Sequence, residues 1–182
     1  IGGVRLLRRL GMSPSVFHLN EGHSAFLTLE LAREYLAANP DADFLDSIPA
    51  VRRQCVFTTH TPVSAGNDLF STSEIRDCFD SGFIDALKLN EEELFELGRS
   101  DPDDKEEGFG MTPLAIRMCR SANGVSEKHG EVSRGLWKAM FPGADDTADV
   151  PISYVTNGVH APTWVAPLFQ GMYRSTIGDD WN

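Results

Sequence analysis

Two short apolar segments, each followed at once by polar residues, constrain the fold of this chain more than any other feature. Residues 15–20 and 54–60 are rich in β-branched and aromatic residues, as is typical of buried strands. Between them, apolar residues from 26 to 36 recur at helical spacing, and Asn39-Pro40-Asp41 ends that helix. A strand, a helix and a second strand form a parallel unit. We therefore predict an α/β fold with parallel strands flanked by helices.

The rest of the chain continues the same alternation of helices and strands. Five further segments are predicted: a helical region over 70–97, a helix that starts at Thr112-Pro113, a helix over 125–140, a third short strand over 152–155 and a last helix that begins near Trp164. Within the first of them, Asn90 is suited to cap a helix and Glu93 completes a capping box. No internal repeat interrupts this pattern.

Charge and cysteine content exclude several classes of protein. The formal net charge is -11, whereas nucleic-acid binding rests on clustered Lys and Arg, so we predict no nucleic-acid partner. No apolar run approaches the roughly 20 residues that span a bilayer, so we predict no membrane segment. Cys55, Cys78 and Cys119 are widely spaced and odd in number, which predicts reduced thiols in a cytoplasmic protein rather than disulfides or a zinc site.

Polar side chains follow both predicted strands at the point where each strand ends. Asn20, Glu21 and His23 come after the first strand, and Thr59 and His60 come at the end of the second. Because the carboxyl ends of parallel strands meet at one edge of a sheet, where ligands bind, we expect these groups to face one cleft. The alternative is that each histidine caps a helix or satisfies a buried backbone group, and the sequence leaves this open.

Other histidines and a third polar segment complete the set of candidates. Strand alternation predicts that His18 is a core residue, and His129, in the middle of a helix, is expected to serve packing or hydrogen bonding. No His-x-x-x-His spacing with a nearby acid is present, so no metal site is predicted. Asn157 and Trp164 follow the third strand, and an amide with an indole suits a carbohydrate, which needs hydrogen bonds and a flat apolar surface.

Four ordered segments of the chain resemble one known family. They are residues 17–26, 57–68, 123–134 and 154–160, and they look like corresponding segments of the α-glucan phosphorylases, the family of glycogen, starch and maltodextrin phosphorylases. The resemblance is to the shorter bacterial and archaeal branch in particular, and it covers nearly the whole chain. Ser64 departs from the pattern, because many relatives of this branch have a second proline there.

The resemblance implies an architecture and an activity. The architecture is that of a glycosyltransferase with two facing Rossmann-like domains, of which residues 1–155 form the later part of the first and residues 156–182 the start of the second, cofactor-binding domain. The implied reaction uses inorganic phosphate to release glucose 1-phosphate from α-1,4-glucan ends, with pyridoxal phosphate as cofactor. The intact enzyme is expected to be a cytoplasmic homo-oligomer of a family that includes allosteric enzymes, and this chain is expected to be an internal fragment of it.

The resemblance also implies residue roles. His60 matches the catalytic histidine that binds the glucosyl 6-hydroxyl and stabilises the developing oxocarbenium charge, Glu21 and His23 line the sugar side of the cleft, Asn157 binds a glucosyl hydroxyl and Trp164 lies near pyridoxal phosphate. The Schiff-base lysine is not among the matched segments, so we expect the chain alone to bind no cofactor and to be inactive. Two alternatives stay open: a non-catalytic glucan-binding module or remnant, and a nucleotide-sugar glucosyltransferase of similar architecture.

Overall fold

The computed structural model describes residues 1–181, so Asn182, the last residue of the predicted second segment, lies outside the described residues. Its helices are α1 (Gly2–Arg9), α2 (Leu27–Ala38), α3 (Phe44–Gln54), α4 (Thr72–Cys78), α5 (Ser81–Ala86), α6 (Glu91–Gly98), α7 (Met111–Met118), α8 (Glu127–Leu136), α9 (Ala161–Trp164) and α10 (Pro167–Ile177). Its strands are β1 (Phe17–Asn20), β2 (Cys55–Thr58), β3 (Leu69–Phe70), β4 (Phe109–Gly110), β5 (Ala122–Gly124) and β6 (Ile152–Tyr154).

Four of the strands form one parallel sheet, in the order β1-β2-β5-β6. Each connection between neighbours is a crossover that contains helices, and such crossovers are right-handed in almost all proteins. Successive right-handed crossovers that advance in one direction place their helices on the same face of the sheet. The predicted α/β fold with parallel strands flanked by helices is confirmed.

The two faces of the sheet differ sharply in composition. The register aligns one row of buried apolar side chains beneath the helices: Phe17, Leu19, Cys55, Phe57, Ala122 and Ile152. The opposite row is polar except for the partly buried Val56 of β2. It includes the exposed His18 and Asn20 of β1, with Thr58, Asn123 and Ser153 on the neighbouring strands. This second row is called the open face below, because the crossovers leave it without helices.

The prediction that His18 is a core residue is wrong. Phe17 and Leu19 occupy the buried face of β1, and the period of two in a strand turns His18 to the open face. There its Nε2 lies 2.8 Å from Thr58 Oγ1.

One strand of the parallel sheet, β5, was not predicted from the sequence. It has only three residues, Ala122–Gly124, and two of them are residue types that strands disfavour. It nevertheless lies between β2 and β6 and pairs with both, so it is a central strand. The three predicted strands exist but are shorter than expected: β1 begins at Phe17, β2 covers Cys55–Thr58 and β6 ends at Tyr154.

Several helix boundaries also differ from the prediction. The predicted helical region 70–97 consists of the three short helices α4, α5 and α6, and the capping box between Asn90 and Glu93 is confirmed at the start of α6. Gly110 is the N-cap of α7, so Thr112-Pro113 lies inside the first turn instead of preceding it. The helix predicted over 125–140 is α8 followed by a single 3₁₀ turn, and Trp164 ends α9 rather than starting the last helix.

The final helices stand apart from the buried core. Neither α9 nor α10 has a buried residue, and their exposed apolar side chains include Trp164 and Leu168, 79% and 82% exposed. The predicted division at 155/156 falls directly after β6, and it stays a prediction. Among residues 1–181, no helix is both long and apolar enough to cross a membrane.

Candidate functional site at the carboxyl edge of the sheet

The four parallel strands all end at the same edge, and their loops remain hydrogen-bonded to one another beyond it. Three backbone bonds connect neighbouring strand ends: Glu21 N–H to Thr58 O (2.8 Å), Thr59 N–H to Asn123 O (3.0 Å) and Asn157 N–H to Val125 O (3.0 Å). These bonds hold the residues that follow the strands, because each loop is hydrogen-bonded to the neighbouring strand end. The predicted alignment of polar strand ends is therefore present in the structure.

Glu21 joins the ends of β1 and β2 through its side chain. Its Oε2 accepts hydrogen bonds from the backbone N–H of His60 at 2.7 Å and from Thr61 Oγ1 at 3.1 Å. Its Oε1 accepts the N–H of Gly22 at 3.0 Å. A carboxylate with three donors is a strong, directional anchor. Both oxygens of Glu21 are thus occupied by the protein, and the carboxylate holds the His60 loop in place.

The backbone of Glu21 is itself strained. Its φ is +80°, a region that L residues other than glycine rarely adopt and that costs about 1–3 kcal/mol. Strain of this kind persists only where the surroundings fix it, and here three hydrogen bonds do so. The strained residue is the one that aims its carboxylate at the neighbouring strand end.

His60 presents one free ring nitrogen at this edge. Its Nε2 lies 2.6 Å from Asn20 Oδ1, and because an amide oxygen can only accept, Nε2 carries the hydrogen. The neutral ring then has Nδ1 as an acceptor. His60 is exposed, so this acceptor is available to a hydroxyl group of a ligand.

The first turn of helix α7 contacts both strand-end loops. Gly22 is buried so tightly that a Cβ there would lie 3.1 Å from Thr112 Oγ1 and 3.2 Å from Met111 Cβ. Thr112 Oγ1 also donates to Asn67 Oδ1 at 2.9 Å, which ties down the loop after His60. The start of α7 therefore supports the Glu21 and His60 loops together.

A second polar chain runs across the open face beneath the edge. Thr58 Oγ1 donates its single hydrogen to Asn123 Oδ1 at 3.0 Å. It must therefore accept a hydrogen bond from His18 Nε2, so Nε2 is the nitrogen of His18 that carries the hydrogen. Asn123 Nδ2 in turn donates to Gly124 O at 3.1 Å. The three strands β1, β2 and β5 are thus connected by side chains as well as by their backbones.

His129 organises the turn that carries Asn157. It is 8% exposed, and its Nδ1 accepts the N–H of Val125 at 3.2 Å, while Val125 O accepts the N–H of Asn157 at 3.0 Å. Helix α8 approaches β5 so closely that a Cβ on Gly124 would lie 2.9 Å from His129 Nδ1. The expectation that His129 is a packing and hydrogen-bonding residue is consistent with these contacts.

The structure does not bring all the predicted site residues together. Glu21 and His60 are in direct contact, and Asn157 is held at the same edge through its backbone. His23 instead lines an apolar groove of about 570 Å³ between α1 and the start of α2. Trp164, 79% exposed, ends α9 and is not packed against the edge.

Two residues that support the site were not identified from the sequence. Thr61 shares the carboxylate of Glu21 with His60, and Asn123 accepts from the hydroxyl group of Thr58. The polar position of Asn123 was visible, but its strand was not recognised, so its proximity to β2 was not predicted. Within residues 1–181, no three His, Cys, Asp or Glu side chains converge closely enough to hold a metal ion.

Comparison with known proteins gives one consistent result. The chain is 40% identical over 190 aligned residues to a glycogen phosphorylase of Mycobacterium tuberculosis, 36% identical over 181 residues to a maltodextrin phosphorylase of Thermococcus litoralis and 33% identical over 181 residues to a glycogen phosphorylase of Aquifex aeolicus. These alignments cover 99%, 100% and 99% of this chain, but only 21%, 20% and 25% of the respective relatives. No protein-family model matches the chain.

Proposed function

Because this chain belongs to the glycogen and maltodextrin phosphorylase family, we propose that it forms part of the sugar-binding side of an α-glucan phosphorylase active site. The proposed reaction is the transfer of a terminal α-1,4-linked glucosyl unit to inorganic phosphate, which yields glucose 1-phosphate. The observation that carries the proposal is the hydrogen bond from His60 N–H to the Glu21 carboxylate, which fixes a histidine at the ligand-binding edge of the sheet.

His60 has two proposed tasks, and its geometry supports both. The free Nδ1 accepts a hydrogen bond from the glucosyl 6-hydroxyl, since Nε2 is committed to Asn20. The backbone of His60, held by Glu21, contributes fixed dipoles close to the positive charge that develops at the anomeric carbon. Such groups stabilise the transition state because they need not reorganise as the charge forms.

The remaining contacts of the sugar are assigned in the same way. Asn157 offers an exposed amide, which binds a glucosyl hydroxyl group, on a backbone fixed by Val125. His23 extends the sugar-binding surface on the side of α1, where it borders an apolar groove. Glu21 is at the sugar side of the cleft, but its engaged oxygens favour a role in orienting His60 over direct contact.

We expect that the residues of this chain do not bind pyridoxal phosphate by themselves. A Schiff base requires an available amine. The resemblance matches none of the four lysines of this chain to the Schiff-base lysine. We propose that the intact enzyme uses pyridoxal phosphate held by other residues, with the exposed indole of Trp164 beside it.

The wider setting follows from the family. We propose a cytoplasmic enzyme that acts as a homo-oligomer on α-1,4-glucan and inorganic phosphate, and the net charge of -11 argues against nucleic acid as a partner. For the isolated chain, a second function has specific support, which is glucan binding without turnover. In support of it, the hydrogen bonds that hold His60 all come from described residues of this chain.

The test is a titration of the 182-residue chain with maltopentaose, followed by amide NMR. We expect saturable shifts at Glu21, His60 and Asn157, no shift with the β-1,4-linked isomer cellopentaose, and no release of glucose 1-phosphate when phosphate is added. His60→Ala should abolish the shifts, because it removes the hydroxyl acceptor. No response to millimolar maltopentaose would overturn the proposal, and binding of a nucleotide sugar at the same residues would favour the glucosyltransferase alternative.

A further inference from the structure

A small cavity lies at the amino end of the sheet, on the opposite edge from His60. Its volume is about 240 Å³, and it is bordered by the last turn of α3 and by the connection from α7 to β5. Arg52 and Arg120 line it. Its apolar wall consists of Ile116, Cys119, Phe141 and Pro151. None of these residues contributes to the proposed glucan site.

Both arginines are held at fixed positions by the backbone. Arg52 Nε–H donates to Arg117 O at 2.7 Å, and Arg120 Nη1–H donates to Arg53 O at 3.0 Å. Each bond uses one of the five N–H donors of a guanidinium group. The remaining donors, including both terminal nitrogens of Arg52, are free of partners among the described residues. The two forks are therefore oriented before any ligand arrives.

The charge of the two arginines is not neutralised locally. Within residues 1–181, no carboxylate oxygen lies within 4.0 Å of either guanidinium group, although seven other ion pairs are formed. The two arginines partly serve to cap helix ends, because the carbonyl groups that they bind, those of Arg53 and Arg117, belong to the last turns of α3 and α7. Each helix end carries only about half a negative charge. Two full positive charges thus leave an excess, in a chain whose net charge is -11.

We propose that this cavity binds a phosphate group between Arg52 and Arg120, either as inorganic phosphate or as part of a phosphomonoester. Guanidinium forks match the spacing of phosphate oxygens and form strong, charge-assisted hydrogen bonds with them. The cavity is smaller than pockets for drug-sized ligands, which occupy about 300–1,000 Å³, so it suits a compact anion. Ile116 and Phe141 form an apolar wall beside the two exposed guanidinium groups.

The test is a titration of the 182-residue chain with inorganic phosphate at constant ionic strength, with chloride as the balancing anion, followed by amide NMR. We expect saturable shifts at residues 116–122. Arg120→Gln should weaken binding about tenfold or more, because it removes charge-assisted hydrogen bonds. Arg120→Lys should recover part of the affinity, since it restores the charge without the fork.

The matched control is Arg9→Gln, which removes one exposed positive charge from α1 and should leave the affinity unchanged. A parallel titration with methyl phosphate separates the two sources: affinity equal to that of inorganic phosphate identifies a phosphomonoester site, and loss of affinity identifies a site for the free ion. Shifts that chloride reproduces, or an equal loss of affinity in the control variant, would overturn the proposal. Arg120 is exposed, so its variants test the site without disturbing the core.

Discussion

At the scale of single residues, the most consequential buried charge is Glu30 on α2, whose side chain is fully buried. Arg5 Nη2 donates to its Oε2 at 2.9 Å and Arg33 Nη2 to its Oε1 at 2.7 Å. Burial alone would raise the pKa of Glu30, but the hydrogen bonds from Arg33 and Arg5 outweigh burial and lower the pKa below its ordinary value of 4.5. The ion pair therefore stabilises the fold at neutral pH, and this contribution is lost as the pH falls through the lowered pKa.

We predict that Glu30→Gln lowers the free energy of unfolding at pH 7 by about 2 kcal/mol, because it leaves two guanidinium groups without their counter-charge. Arg5 and Arg33 are partly exposed, which keeps the effect below that of a fully buried pair. Urea denaturation measures it. Glu34→Gln is the control, since the Glu34–Arg8 pair lies nearer the surface and should contribute at most about 1 kcal/mol. The difference between wild type and Glu30→Gln should shrink below pH 4, and a difference independent of pH would contradict this explanation.

At the scale of elements, α8 closely approaches the end of β5. A Cβ on Gly124 would lie 2.9 Å from the backbone nitrogen of Gly130 and 2.9 Å from His129 Nδ1. Backbone atoms of a packed helix cannot give way cheaply, so the strand can end in this position only with glycine. The same contact sets the turn that carries Asn157.

We predict that Gly124→Ala destabilises the chain by about 2 kcal/mol or more, because the added methyl group overpacks the α8–β5 contact. Gly135→Ala, in α8 with no atom within 4 Å of the added Cβ, should instead be neutral or stabilise by up to about 1 kcal/mol, since alanine favours the helix. Thermal denaturation compares the two. Similar destabilisation by both substitutions would show that replacing either glycine, and not this particular contact, sets the effect.

At the scale of the whole molecule, the sheet has one covered and one open face, and the last two helices are not packed into the core. Parallel sheets are usually covered on both faces. The exposed apolar side chains at the end of the chain include Trp164, Leu168, Phe169 and Met172, each at least half exposed. Exposed apolar side chains of this kind favour association.

We predict that the 182-residue chain associates increasingly as its concentration rises, because association removes this apolar surface from water. The double variant Leu168→Ser, Phe169→Ser should reduce the association. Leu45→Ser serves as the control, because Leu45 is 70% exposed but lies on α3, away from α10. Sedimentation velocity over a range of concentrations measures the effect. A monodisperse chain with a cooperative thermal transition would contradict the prediction.

The sequence by itself determined those features that depend on neighbours in the chain. The content of β-branched and aromatic residues predicted β1 and β2, and the helical spacing of apolar residues predicted α2. The capping box at Asn90 was predicted for the same reason, since all its partners lie within three residues. The ordered motifs identified the family, which the relatives confirm, and with it the candidate residues at the strand ends.

Only the tertiary structure decided which of those candidates act together. The bond between Glu21 and His60 joins residues 39 positions apart, and it exists because β1 and β2 are adjacent and in a register that aligns their ends. Strand β5 was invisible to local patterns because three residues show no period, yet its pairing with both neighbours makes it central. The order of the strands and the direction of the crossovers leave one face of the sheet open, and this exposes His18. Strand order is set by packing across the whole molecule rather than by any single segment.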